Sequence, residues 1–262
     1  YDRVNEILSL EREGEGGAVT APAADAPAIE LNALSFGYAD APVIDGLTLT
    51  IGRGERILIT GASGCGKSTL LRLIVGYLRV NAGTVRILGS DMEDWNRKAL
   101  WRNVVYISPD VRLLNGTIRE NLTLGRAFTD EQIMRAARIC LFDQVLESVD
   151  GGLDAVMSTG SALSEGQAAR LALTRAVLHQ PQILLLDEIT RGLDAATETR
   201  LIANLFSALP EVTLVMISHR LEHAAEFDRV LAFEKGGCQC APHEELLTRS
   251  AAYRALFTAG RD

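Results

Sequence analysis

The residues Gly61 to Thr69 read GASGCGKST and fit the spacing G-x-x-x-x-G-K-[ST]. In that spacing the glycines let the backbone approach an anion closely, and successive N–H groups of Gly64, Cys65 and Gly66 can point at it together. A helix starting directly after the loop adds roughly half a unit of positive charge at its N-terminus. Lys67 is placed to reach the β- and γ-phosphates of a nucleotide, and the Ser68 hydroxyl to hold Mg²⁺. Gly61, Ser63 and Thr69 complete the candidate nucleotide contacts of the loop. The apolar run Ile57 to Ile59 precedes the loop and LLRLIVGYL follows it, so a strand and a helix flank it as such a cradle needs.

Two further strand ends offer chemistry. Gln182 to Leu186 is followed by Asp187 and Glu188, an apolar strand ending in two carboxylates. Taken alone this is a strand meeting solvent. Paired with the phosphate loop it supplies Asp187 for Mg²⁺ and Glu188 to polarise an attacking water. Val212 to Ile217 is another buried run, and its end places His219 on the same predicted edge as Glu188. His179, His223 and His243 lie in helical or loop contexts without a partner motif and are expected at the surface. Tyr38 follows the first predicted strand; its ring either packs locally or stacks on a base.

The elements that must hold these residues follow from pattern. Ile29 to Phe36 alternates as a half-exposed strand, and Leu47 to Ile51 and Arg56 to Thr60 flank a turn at Gly52 to Glu55. Gly83 to Leu88 and Val104 to Ser108 read as further strands, stopped by Pro109. From about residue 112 to 177 the pattern is helical. Thr129 with Gln132 and Ser164 with Gln167 make two capping boxes; the first helix has Ile133, Ala136, Ala137 and Cys140 on one face. The second box is either a plain cap or a second anion site. Together these imply an α/β fold: a P-loop core with a mostly parallel sheet, a small antiparallel β region and an α-helical subdomain.

Composition narrows the partners. A chain of 262 residues fits one large domain or two small ones. Its net charge of −8 argues against duplex nucleic acid, whose binding rests on phosphate neutralisation. No apolar run approaches the ~20 residues of a spanning helix. Four irregularly spaced cysteines suit a reducing compartment, and Cys238 with Cys240 is expected to be a surface loop pair. Gly14 to Ala28 is rich in Gly, Ala and Pro and reads as a linker, preceded by an amphipathic stretch around Val4, Ile7 and Leu8.

With these pieces assembled, the chain resembles the nucleotide-binding domain of ATP-binding cassette (ABC) transporters of the exporter type, over residues 29–262. The resemblance implies ATP and Mg²⁺ as ligands and Tyr38 stacking on adenine. It implies a signature at Leu163 to Gln167, in which Ser164, Gly166 and Gln167 contact the γ-phosphate of an opposite protomer. Asp194 matches the loop that crosses the dimer interface, and His219 the switch histidine touching the γ-phosphate. The tail from His243 resembles the exporter C-terminal helices. A second such domain, in a homo- or heterodimer, and a membrane domain are the implied partners. Residues 1–28 would then join an upstream membrane helix to the ATPase domain, on the cytoplasmic face of a membrane, the bacterial inner membrane. Two positions depart from the family pattern: Pro109 stands where a glutamine is usual, and Glu165 where the signature has glycine. Asp110 either takes over the missing metal contact or is an acidic turn residue. These departures motivate one rival reading, a regulatory ATP-binding module with little turnover; a second rival, a soluble non-transport ABC ATPase, is opposed by the acidic balance, the single cassette and the helix-like N-terminal stretch.

Overall fold

Alternate side chains of the central strands enter two different hydrophobic clusters, and that alternation sets the layers of the molecule. Ile57, Ile59, Ile183, Leu185, Val215 and Ile217 belong to one cluster, while Leu58, Leu184, Leu186, Leu214 and Met216 belong to the other. Strands buried on both faces read as continuous apolar runs, which is why QILLL and VTLVMI carry no polar alternation. The computed structural model describes residues 16–38, 41–157, 163–234 and 237–259.

The central sheet runs β12-β11-β3-β10-β9-β6, from β3 (Arg56–Gly61), β6 (Val104–Ile107), β9 (Ile183–Asp187), β10 (Thr213–Ile217), β11 (Arg229–Glu234) and β12 (Gly237–Ala241). All its neighbours are parallel except β12, which is antiparallel to β11. On the first face lie α1 (Lys67–Ile74), α2 (Arg97–Asn103) and a small antiparallel sheet ordered β2-β1-β4-β5, formed by β1 (Ile29–Tyr38), β2 (Ala41–Ile51), β4 (Ala82–Ile87) and β5 (Ser90–Asp91). The second face is covered by α3 (Ile118–Thr123), α4 (Asp130–Ile139), α5 (Asp143–Ser148), α6 (Glu165–Leu178) and α7 (Ala195–Ala208), with a two-stranded ladder of β7 (Gly116–Thr117) and β8 (Val156–Met157). The C-terminal helices α8 (His243–Arg249) and α9 (Ala251–Ala259) follow β12. This is the P-loop α/β class anticipated from the pattern.

Both expected capping boxes form, at Thr129 with Gln132 and at Ser164 with Gln167, and a third at Thr117 with Glu120 opens α3. Several expectations need correction. The turn at Gly52 to Glu55 does not close a hairpin: β2 pairs with β1, whereas β3 pairs with β10 and β11. A turn signal fixes a change of direction and says nothing about which strands pair. The helix after the phosphate loop stops at Ile74, and Gly76 (φ 77°) turns the chain, so Tyr77 lies outside it. Cys238 and Cys240 sit on β12, half-buried against the first cluster, and burial pushes the Cys238 thiol up to about 11. His243 is buried with its Nδ1 2.7 Å from the Tyr253 hydroxyl, and His179 is half-buried between helices.

Residues 16–28 have few side chains to bury, yet their main chain is fastened. Gly17 and Val19 donate to the carbonyls of Trp95 and Asp94, both at 2.9 Å. The Arg53 guanidinium donates to Ala23 O at 2.7 Å and Ala26 O at 2.9 Å. The amphipathic stretch expected around Val4 to Leu8 lies outside the described residues. Among the described residues no helix is long and apolar enough to cross a membrane.

Candidate nucleotide site

The loop after β3 owes its path to two glycines. Gly64 has φ 77°, and Gly66, which caps α1 at φ 107°, lies so close to β2 that an added Cβ would stand 2.7 Å from Val43 Cγ1. No acidic residue occupies the first turn of α1, so the positive end of its dipole is not offset locally. Lys67 is the first helical residue and is buried; its Nζ donates to Gly61 O and Ala62 O, both at 2.9 Å, and lies 4.0 Å from Cys65 Sγ. The ammonium therefore sits in the hollow of its own loop.

Asp187 ends β9 with no exposed surface. Its Oδ1 accepts from Ser68 Oγ at 2.9 Å and its Oδ2 from the Tyr106 hydroxyl at 2.8 Å. A buried carboxylate whose two oxygens are met by neutral hydroxyls suits a divalent cation, because the charge is otherwise poorly compensated. Among the described residues no cluster of three His, Cys, Asp or Glu can hold a metal, so a cation here would draw its remaining ligands from nucleotide and water.

The next residue, Glu188, adopts φ 51°, a left-handed conformation that costs a non-glycine residue of order 1 kcal/mol or more and clusters at functional sites. Its Oε1 is 2.8 Å from His219 Nε2, across the ends of the paired strands β9 and β10. His219 remains half exposed while Glu188 is largely covered. Tyr38 is exposed at the end of β1, edge-on to Phe36 at 4.9 Å, with its hydroxyl 3.5 Å from Thr69 Oγ1. An open ring face thus stands beside the start of α1.

The structure brings Tyr38, the loop, Asp187, Glu188 and His219 to one edge of the sheet. Among the described residues no hydrogen bond joins Ser164, Gly166, Gln167 or Asp194 to that group. Among the described residues these bond within their own helix caps: Ser164 with Gln167, and Asp194 with Thr197, whose N–H and hydroxyl hold the carboxyl below its usual range. Gly166 backs onto Gly192, where an added Cβ would be 2.6 Å from Gly192 O, and the Glu165 stem packs on the same glycine. Pro109 and Asp110 are exposed, and Asp110 takes part only through its carbonyl, which accepts from Ser108.

Sequence pattern missed Tyr106 and Arg72. Burial and the Asp187 carboxylate hold the Tyr106 phenol well above its ordinary pKa, so it acts as a donor. Arg72, on α1, is raised chiefly by the neighbouring Tyr106 phenol. The one visible signal was a tyrosine inside the apolar run Val104 to Ile107.

A family profile described as ABC transporter matches residues 44–191. The chain belongs to the ABC transporter family. Within that family it is similar to an uncharacterized ABC transporter ATP-binding protein of Haemophilus influenzae, at 32% identity over 100% of this chain and 47% of the relative. An ATP-dependent lipid A-core flippase of Mannheimia succiniciproducens is 32% identical over 96% of this chain and 44% of its own length. A mitochondrial iron-sulfur clusters transporter, atm1, of Aspergillus fumigatus is 34% identical over 88% and 33%. Among solved structures, a bacterial Atm1-family ABC exporter with ATP bound superposes with a TM-score of 0.89 at 26% identity, covering 100% of this chain and 47% of that one. The chain thus spans less than half the length of these relatives. As an ABC domain of exporter type it is an ATPase unit.

Proposed function

We propose that the chain is the motor domain of an ABC exporter, binding and hydrolysing ATP to drive closure on a second nucleotide-binding domain and export through a membrane domain. The observation that carries the reading is the meeting, at one sheet edge, of the Lys67 loop, the Ser68–Asp187 pair and the Glu188–His219 pair. Tyr38 stacks on adenine, and Gly61, Ser63, Gly64, Cys65, Gly66, Lys67 and Thr69 hold the phosphates through backbone N–H groups and the ammonium. Ser68 and Asp187 hold Mg²⁺, which when bound neutralises phosphate charge. Glu188 accepts the proton of the attacking water, and His219 orients Glu188 and the γ-phosphate.

Ser164, Gly166, Gln167 and Asp194 complete the site of a partner domain, whose own copies complete this one. The membrane domain docks at the groove of about 510 Å³ between the core and the helical region, lined by Trp101, Tyr106, Asp110, Arg112 and Arg126. The working position is the cytoplasmic face of a membrane, in a bacterium the inner membrane.

The test is Glu188→Gln. It should leave ATP affinity unchanged and lower phosphate release by about 10²- to 10⁴-fold, the usual range for a lost general base. Release at the wild-type rate would remove Glu188 from the role. The same assay weighs a second reading, a low-turnover ATP-binding module, which is favoured by Pro109 having no side-chain donor or acceptor. Brisk release by the wild-type chain rules that reading out.

A further inference from the structure

We propose that Tyr106 is a positioning residue for the metal carboxylate: its hydroxyl fixes Asp187 in the orientation that binds the divalent cation. The inference rests on Asp187 as a metal ligand and adds a residue that no sequence motif marks.

The register of the sheet places it. Tyr106 on β6 pairs with Leu185 on β9, and Asp187 lies two residues further along β9 on the same face as Leu185. A side chain as long as tyrosine, standing opposite Leu185, therefore spans the step to the strand end, where its hydroxyl meets Asp187 Oδ2 at 2.8 Å. Ser68, from a different element, meets Oδ1 at 2.9 Å. With one oxygen held from α1 and the other from β6, the carboxylate has no freedom to rotate without breaking a bond to a buried charge, which is among the stronger hydrogen bonds a protein makes.

The phenol is itself held. Its ring stands edge-on to Tyr77 with centroids 5.8 Å apart. A hydrogen-bonded chain thus runs Tyr106, Asp187, Ser68. It joins α1, β6 and β9 at the carboxylate. Such a network fixes its members more firmly than isolated pairs would.

Tyr106→Phe removes the hydroxyl and keeps the ring against Tyr77. The direct readout is binding of Mn²⁺ to the ATP-loaded 262-residue chain, followed by the loss of the free-ion electron paramagnetic resonance signal. The expected result is about a tenfold weaker Mn²⁺ affinity, equivalent to about 1.4 kcal/mol, with ATP affinity measured in EDTA unchanged. The Mg²⁺ concentration for half-maximal phosphate release should rise in parallel. Unchanged or tighter Mn²⁺ binding by Tyr106→Phe would overturn the proposal, since the hydroxyl would then only latch the metal-free carboxylate. Equal losses of Mn²⁺ affinity and EDTA-measured ATP affinity would also overturn it, as the mark of a purely structural residue. Asp187→Asn separates the layers: if it abolishes Mn²⁺ binding while Tyr106→Phe has no effect, only this inference fails. If Asp187→Asn leaves Mn²⁺ binding intact, the metal-ligand reading fails with it.

Discussion

Cys65 shows how a residue's meaning depends on its few nearest atoms. Its Sγ lies 4.0 Å from the Lys67 ammonium and 3.1 Å from where a Cβ on Gly61 would stand, so it faces the inside of the phosphate loop. Any adduct on that sulfur fills the hollow that a phosphate needs. Treatment with N-ethylmaleimide should therefore abolish ATP binding, and ATP at ten times its dissociation constant should slow modification of Cys65 by about tenfold, since only the unliganded fraction reacts. Peptide mapping by mass spectrometry distinguishes Cys65 from Cys238 and Cys240, which lie half-buried on β12, and from the buried Cys140, whose thiol burial pushes up to about 12. A Cys65 modification rate indifferent to ATP would place the sulfur away from the nucleotide.

Between elements, His179 ties α3 to α6. Arg126 lies 2.9 Å from its Nδ1, and Nε2 is 3.3 Å from Leu122 O. Arginine can only donate, so Nδ1 accepts and the ring is neutral with its proton on Nε2. Burial first, and then the Arg126 charge, hold His179 below its ordinary value of 6.5. A histidine with a lowered folded pKa gives its full contribution to stability above the unfolded value, and that contribution is lost as pH falls through the folded one. The denaturation midpoint should thus drop between pH 7 and pH 5, and His179→Gln should flatten that drop; an identical slope in the variant would put the pH dependence elsewhere. None of this was legible in the sequence, where His179 looked like a surface residue. What was legible is local: the loop spacing, the capping boxes of α4 and α6, and the apolar strands ending in Asp187 and at His219. What was not legible needs knowledge of neighbours. That β2 and β3 enter different sheets, that β6 lies beside β9 so Tyr106 reaches Asp187, and that Gly16 to Ala28 is fastened by main-chain bonds are all set by long-range pairing.

For the whole molecule, the proposed function makes two helix N-termini, at the phosphate loop and at the α6 cap, meet in an assembly of two domains. The phosphate loop and the α6 cap each present N–H groups; the cap bonds within its own helix and packs on Gly192. On the proposed function a nucleotide is gripped by the loop of one domain and the α6 cap of a second, and where both domains are copies of this chain two-fold symmetry makes each lend its cap to the other. ATP then becomes part of the interface, so it stabilises the dimer by as much as it binds the dimer better than the monomer. Glu188→Gln, which retains ATP, should sediment as a dimer with Mg²⁺ and ATP and as a monomer without them. Adding Ser164→Arg to that variant places a bulky cation at both caps, outside the loop's own bonds. ATP binding to the monomer should survive, and the ATP-dependent dimer should disappear. If the double variant still dimerised with ATP, the α6 caps would lie outside the interface. Loss of ATP binding by its monomer would instead mean that the cap serves the nucleotide of its own chain.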